Sequence, residues 1–387
     1  MNRSTLEKLT MIYLDNHAST MCDPRVAEIM MPYLTGLSAG NPSSTHSAGK
    51  IAQAALAKGR KQVAVLFGAK PEDVFFTASA TEANNLAIIG TAMSARKSGK
   101  GNHIISTEIE HPSVLKPLNY LASLGFRVTL VPVDGNCNVN REQILEAVSE
   151  DTFLVSIMSA NNEVGTIQPI TEIFPFIRPN IVTHTDASQS AGRIPLNLTN
   201  SRVNLITLAG HKIHGPKGIG ALCRTSHTLL EPQILGNQQE FGHRAGTQNV
   251  PGIVGLGVAC EIYYKEGQSE QNHVTRLRDG LQQRLLDELD EVVINGDVSC
   301  RLPGNLHISF LGVQSDVLMK SLPSICVSSG AACTSGRGLP SHVLRAMGCS
   351  EKRAESSIRF GISRFNTEDE IQLACDLLVK AVKKIRN

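Results

Sequence analysis

No stretch of the 387 residues approaches the roughly 20 consecutive apolar side chains that a bilayer-spanning helix needs. The most apolar segment, 250–264, is interrupted by Glu261 and several glycines. The first ten residues carry Arg3, Glu7 and Lys8 and lack an apolar core of signal-peptide length. An excess of one charge is missing too: 37 Lys plus Arg stand against 35 Asp plus Glu, a net charge of +2. That balance offers no footprint for nucleic acid or an anionic membrane. Nor do the nine cysteines contain a C-x-x-C pair, and their number is odd in a chain without a secretory signal. Reduced thiols are expected rather than a disulfide framework, most of them acting as small buried hydrophobes. These absences predict a cytoplasmic protein with no membrane or nucleic-acid partner.

What is present is the make-up of an ordinary globular chain, 41% hydrophobic and 19% charged, long enough for one large domain and a smaller one. Short runs rich in Val, Ile and Phe predict strands at 74–77, 103–106, 127–133, 153–159, 181–185, 205–208 and 220–223. Between them, apolar residues recur at helical spacing, as over 51–67 and 81–94. Strands alternating with helices predict an α/β domain built on a mostly parallel sheet. After about Lys265 the texture changes to a long charged helical pattern at 273–289, then short runs and a terminal helix. A smaller α+β domain is expected there, completed by the N-terminal segment, so that 16–267 form the large domain and 1–15 with 268–387 the small one. The Gly- and Ser-rich segment 328–338 predicts a loop.

Five places along the chain suggest chemistry. In Gly210-His-Lys-Ile-His-Gly215 a strand delivers His211 and Lys212 into a tight turn. A lysine so placed can project into a pocket and keep its amine nucleophilic, as covalent capture of an aldehyde cofactor such as pyridoxal phosphate requires. Most lone lysines are simply solvated; the neighbours change the odds. Asp186 ends a second strand, with Gln189 one turn further on. A carboxylate at a pyridine nitrogen keeps it protonated, with an attraction of roughly 5 kcal/mol at about 3 Å in an effective dielectric of about 20. By itself Asp186 suits a turn equally well. In Thr77-Ala-Ser-Ala-Thr-Glu82 small hydroxyl residues lead into a helix start, where Ala80 and Thr81 offer donors to an anion such as a phosphate. A plain helix cap would use the same residues. His111, just beyond a strand, can lie flat on a planar ring. His211-x-x-His214 has metal-like spacing but no further ligand nearby, so no metal site is expected. Cys333 sits on the Gly-bounded loop beside Arg337, a setting that favours thiolate, whereas Cys223, Cys260 and Cys375 lie in apolar runs and are expected to be structural.

Taken in order, these segments resemble the cysteine desulfurases of the NifS type, in the class V aminotransferase superfamily of fold-type I pyridoxal-phosphate enzymes. The resemblance runs from Tyr13-Leu-Asp-Asn-His-Ala-Ser-Thr20 to Ser356-Ser-Ile-Arg-Phe-Gly-Ile-Ser-Arg-Phe365 and includes Asn161-Asn-Glu-Val-Gly165 and Arg244-Ala-Gly-Thr247. It implies a seven-stranded sheet domain, a homodimer, and pyridoxal phosphate as cofactor. It further implies Lys212 as the Schiff-base lysine, Asp186 at the ring nitrogen, Gln189 at the ring hydroxyl and His111 stacked on the ring. Ala80, Thr81 and His211 would hold the phosphate, joined across the dimer by Thr247. Asn162 and Arg359 would bind the carboxylate of L-cysteine, and Cys333 would take the sulfur as a persulfide, leaving alanine. The sulfur would pass to an acceptor protein such as an iron-sulfur scaffold. A selenocysteine lyase or another enzyme of the superfamily is the alternative; transamination needs no thiol, and the intact set Lys212, Asp186, His111 and Cys333 speaks against a catalytically idle scaffold. Two departures stand out. Ala209 replaces a hydroxyl residue on the phosphate, a loss of about 1 kcal/mol, and Gly236-Asn-Gln-Gln-Glu240 replaces a more glycine-rich run.

Overall fold

Each predicted strand run forms a strand in the computed structural model, which describes residues 11–36, 38–329 and 341–387. After a short strand β1 (Ile12–Tyr13) come β2 (Val74–Thr77), β3 (His103–Thr107), β4 (Arg127–Val131), β5 (Thr152–Ser156), β6 (Val182–Asp186), β7 (Leu205–Ala209) and β8 (Gly220–Arg224). They form a seven-stranded sheet of order β2-β8-β7-β6-β5-β3-β4, in which only β8 runs against its neighbours. The interior strands β3, β5 and β7 are buried at every position, as a sheet covered on both faces demands, while β4 at the edge is half exposed. The predicted extensions of β4 to 133 and of β5 to 159 are not strand, because the chain leaves the sheet to build loops at that end.

The helices of twelve residues or more are α1 (Pro24–Thr35), α2 (Ser47–Leu66), α3 (Ala80–Ser98), α4 (Pro112–Ser123), α5 (Val250–Glu288) and α6 (Glu368–Arg386). α3 is capped by Ser79, which accepts from the Glu82 N–H at 3.2 Å, and is stopped by Gly99 in the left-handed region. α6 opens on a reciprocal cap between Thr367 and Glu370.

The sequence change near Lys265 does not end an element. α5 runs unbroken for 39 residues, about 58 Å at 1.5 Å per residue, through the residue 267/268 boundary. Its first half packs on the sheet's apolar cluster with Leu256 and Cys260; its second half joins a separate cluster through Leu277, Leu281 and Leu285. α2 meets α5 closely because Gly59 and Gly257 face each other: a Cβ on Gly257 would lie 2.6 Å from the Gly59 Cα. The second cluster is covered by an antiparallel sheet of β9 (Val292–Ile294), β10 (Asn305–Phe310) and β12 (Ser357–Gly361), by β11 (Ile325–Cys326) paired with β1, and by α6. Pairing of β1 with β11 ties the start of the described chain to this region. Cys223, Cys260 and Cys375 are buried, as is Cys137. Among the described residues, no helix is long and apolar enough to cross a membrane.

Candidate active site

A parallel sheet ends its strands on one edge, and the loops leaving that edge surround whatever binds there. Here the chain leaving β3, β5, β6 and β7 lines a cavity of about 300 Å³, closed on its far side by residues of β12 and of the loop after β1. Of the residues singled out from the sequence, Ala80, Thr81, His111, Asn162, Asp186, Gln189, His211, Lys212 and Arg359 all line it. Thr247 does not; it is exposed on a separate loop. Cys333 lies outside the described residues, with Arg337 and most of the loop predicted at 328–338.

Lys212 ends a short turn after β7, and its amine donates to the Ala18 carbonyl at 2.9 Å and to the His17 carbonyl. Burial, followed by the Arg359 and Arg193 guanidinium groups, holds the amine down to about 7, against the opposing pull of Asp15 and Asp186. A lysine so placed is an uncharged nucleophile in a large fraction of molecules at neutral pH.

Asp186, at the end of β6, is 7% exposed. One carboxylate oxygen accepts from the Ser188 N–H at 2.9 Å and hydroxyl at 2.5 Å; the other accepts from Asn84 of α3 at 2.7 Å. The turn role and the cavity role of this side chain therefore coexist. Asn84 is in turn held by Ser113, whose hydroxyl also meets His111 Nδ1 at 2.8 Å. His111 caps α4 by accepting the Ser113 N–H at 3.1 Å, and burial lowers its basicity. Its imidazole is thus a neutral, oriented plane on the cavity wall.

At the β2–α3 corner the Ser79 hydroxyl caps the helix, and Glu82 accepts the Ala78 N–H at 3.0 Å. The ordinary cap is real, but Ser79, Ala80 and Thr81 also face the cavity. Gly220 of β8 backs this corner: a Cβ there would lie 2.6 Å from the Ser79 carbonyl carbon and 2.8 Å from the Ala80 nitrogen, so only glycine leaves the cradle its shape. His211 joins it, meeting the Ser19 hydroxyl through Nδ1 at 3.1 Å, and burial lowers it to about 4. Ala209 is also in the wall.

Arg359 is 2% exposed on β12. It donates to the Asn162 carbonyl at 2.8 Å and to Asp15 at 3.0 Å, while the Asn162 side-chain oxygen is buried without a hydrogen-bond partner among the described residues. Gln189 exchanges two bonds with His17, its Nε2 donating to the carbonyl at 3.0 Å and its Oε1 meeting Nδ1 at 2.9 Å.

Several wall residues were not singled out from the sequence. His17 is pushed down to about 3 by burial and the nearby Arg193 and Arg359, and is neutral. Glu163 is buried, raised by desolvation and held by the Ser341 hydroxyl. His342 meets the Glu110 carbonyl at 3.0 Å, and the Glu110 carboxyl beneath is raised by burial to about 8. Glu110 and Asn84 stood beside residues already noted; Ser341 and His342 had no local signal at all.

Residues 12–373 match the family profile of the class-V aminotransferases. The chain belongs to that family. Within it, this class-V aminotransferase stands among the cysteine desulfurases. It is 42% identical over 381 residues to a cysteine desulfurase of Trichormus azollae, covering 98% of this chain and 94% of the relative. It is similar to a solved NifS-like protein at a TM-score of 0.90 and 36% identity, over 97% of this chain and all of the other. It is also similar to a solved SspA in complex with cysteine, with a TM-score of 0.81 and 33% identity, over 92% and 99% of the two chains. The mostly parallel sheet and the region built on β9, β10 and β12 are the fold of this family.

Proposed function

We propose that this class-V aminotransferase is a cysteine desulfurase that binds pyridoxal phosphate, moves sulfur from L-cysteine to Cys333 and releases L-alanine. The observation that carries the reading is a lysine amine held near 7 in the same cavity as Asp186, His111 and Arg359. The donor set fits the cofactor. Lys212 would hold its aldehyde carbon, Asp186 its ring nitrogen, and His111 one face of its ring. Gln189 would meet its ring oxygen, and Ala80, Thr81 and His211 would meet its phosphate, with Thr247 from a second copy. Bound there, the cofactor supplies an electron sink that weakens the bonds at the substrate's α and β carbons.

The chain's own groups do the rest. Arg359 and Asn162 receive the substrate carboxylate, the guanidinium fork giving orientation as well as charge. Lys212, as free amine, takes the α-proton. The Cys333 thiolate attacks the substrate sulfur, the carbon-sulfur bond breaks with its electron pair to carbon, and that carbon is protonated. Sulfur is oxidised and carbon reduced in one exchange, so cysteine plus thiol gives alanine plus persulfide with no outside reductant. We extend the reading to a homodimer, to the domain division 16–267 against 1–15 with 268–387, to a protein sulfur acceptor such as an iron-sulfur scaffold, and to a cytoplasmic setting.

An assay for alanine and sulfide from L-cysteine with a thiol reductant, run beside L-selenocysteine, tests the activity. Equimolar alanine and sulfide are expected. Activity confined to selenocysteine would favour the lyase instead. Because the Lys212 amine is depressed, its neutral form grows as pH rises and saturates above about 7. The rate at which apoprotein captures pyridoxal phosphate should accordingly climb up to about tenfold per unit below that pH and level off above it. A rate still rising steadily to pH about 10 would mean an ordinary lysine. Arg359→Lys keeps the charge but loses the fork, and is expected to raise KM for cysteine about tenfold or more with a smaller effect on kcat; steady-state kinetics would expose an unchanged KM.

A further inference from the structure

The loop that carries Thr247, residues 236–249, is fastened by one ion pair to α2 and by another to the helix that starts at the corner lining the cavity. Arg60 of α2 and Glu240 form a bidentate pair, both bonds 2.8 Å, with side chains 7% and 1% exposed. The same Glu240 carboxylate accepts the backbone N–H of Phe76 at 2.9 Å and the Gln248 amide at 3.4 Å. Phe76 is one residue before Thr77, where β2 turns into the Ser79–Thr81 cradle. The second pair joins Arg244 to Glu82 of that cradle's helix at 2.9 Å. Glu240 and Phe241 both sit in the left-handed region, at φ 48° and 56°, which side-chain-bearing residues rarely adopt. Such strain persists only where surroundings over-determine it, and it concentrates at functional sites. Here the surroundings are the ion pair and the Arg60 guanidinium, which lies 4.9 Å from the Phe76 ring centre and 5.1 Å from that of Phe241.

We infer that Glu240, gripped by Arg60, is a positioning residue for the cofactor phosphate of a second copy. It locks the 236–249 loop in the form that presents Thr247 outward, and it takes its bearing from the strand that builds the chain's own cradle. Departure of the Gly236–Glu240 run from the glycine-rich pattern fits this arrangement, since the anchoring ion pair supplies the order that a flexible run would lack. The inference rests on the proposed reading that Thr247 meets the partner's phosphate, and the test separates the two.

The test is a double-substitution cycle on the full-length chain, reading the dissociation constant of pyridoxal phosphate by absorbance titration of apoprotein, with the dimer checked by sedimentation. Thr247→Ala is expected to raise the constant about tenfold, the effect of losing one hydrogen bond to a charged group. Glu240→Gln is expected to do the same. The double variant should be no more than about tenfold weaker than the unsubstituted protein rather than about a hundredfold, because the second change removes what the first has already released. Arg60→Lys, which keeps the charge but not the fork, provides the same cycle should Glu240→Gln fail to fold. Additive losses, or an unchanged constant in Glu240→Gln beside a weakened Thr247→Ala, would overturn the positioning role alone. An unchanged constant in Thr247→Ala would overturn the phosphate reading and the positioning role together.

Discussion

Lys212→Ala is expected to abolish release of alanine and sulfide, by about 10⁴-fold or more, and to leave a protein that binds pyridoxal phosphate without its persistent yellow colour. The size of the effect follows from what the position supplies. A lysine with the reference pKa near 10.4 is neutral in only about one molecule in 10³ at pH 7, whereas an amine held near 7 is neutral in about half. That gain in nucleophile is lost with the side chain, together with the base for the α-proton. No other lysine lines the cavity among the described residues, so none stands ready to take over. Absorption spectra and product analysis of purified protein check both halves. A variant that kept its colour and released alanine would place the covalent anchor elsewhere.

Cys333→Ser should behave differently. It is expected to keep the cofactor and the colour, because the thiol has no part in holding either, yet to lose sulfide release about 10³-fold or more. Rescue by another thiol is not expected. Among the described residues none lines the cavity. The incompletely buried Cys22, Cys300, Cys326 and Cys349 are all pushed away from the thiolate form, chiefly by burial. Sulfide release at the unsubstituted rate would reject transfer through Cys333, whatever the fate of Lys212. The pair of variants thus separates cofactor capture from sulfur capture.

Most of the strands, edge strand β4 excepted, were legible because their β-branched runs are buried on both faces, and such an apolar run is written in the local sequence. Their ends were less so: residues 157–159 are as apolar as the strand before them, yet the chain turns there toward the cavity. The unbroken α5 was hidden because its two halves bury against different partners, so its composition changes while its hydrogen bonding does not. In the site, the residues found were those in dense local motifs. Asn84 and Ser113, which orient Asp186 and His111, look like ordinary helix residues until α3 and α4 are packed side by side.

Sequence alone determined the kind of molecule: an α/β sheet domain with a smaller α+β region, a lysine after one strand, a carboxylate at the end of another, and a hydroxyl-rich helix start upstream of both. These are local facts, written in periodicity and turn chemistry over a few residues. Tertiary structure decided the chemistry available to them. It brought Arg359 and Asp15 into contact from 344 residues apart, drew the Lys212 amine out of water, and bolted the Thr247 loop to α2 and β2 through Arg60 and Glu240, 180 residues apart. Desolvation and ion pairing depend on what lies around a group in space, and that is a property of the packed chain that no single segment carries.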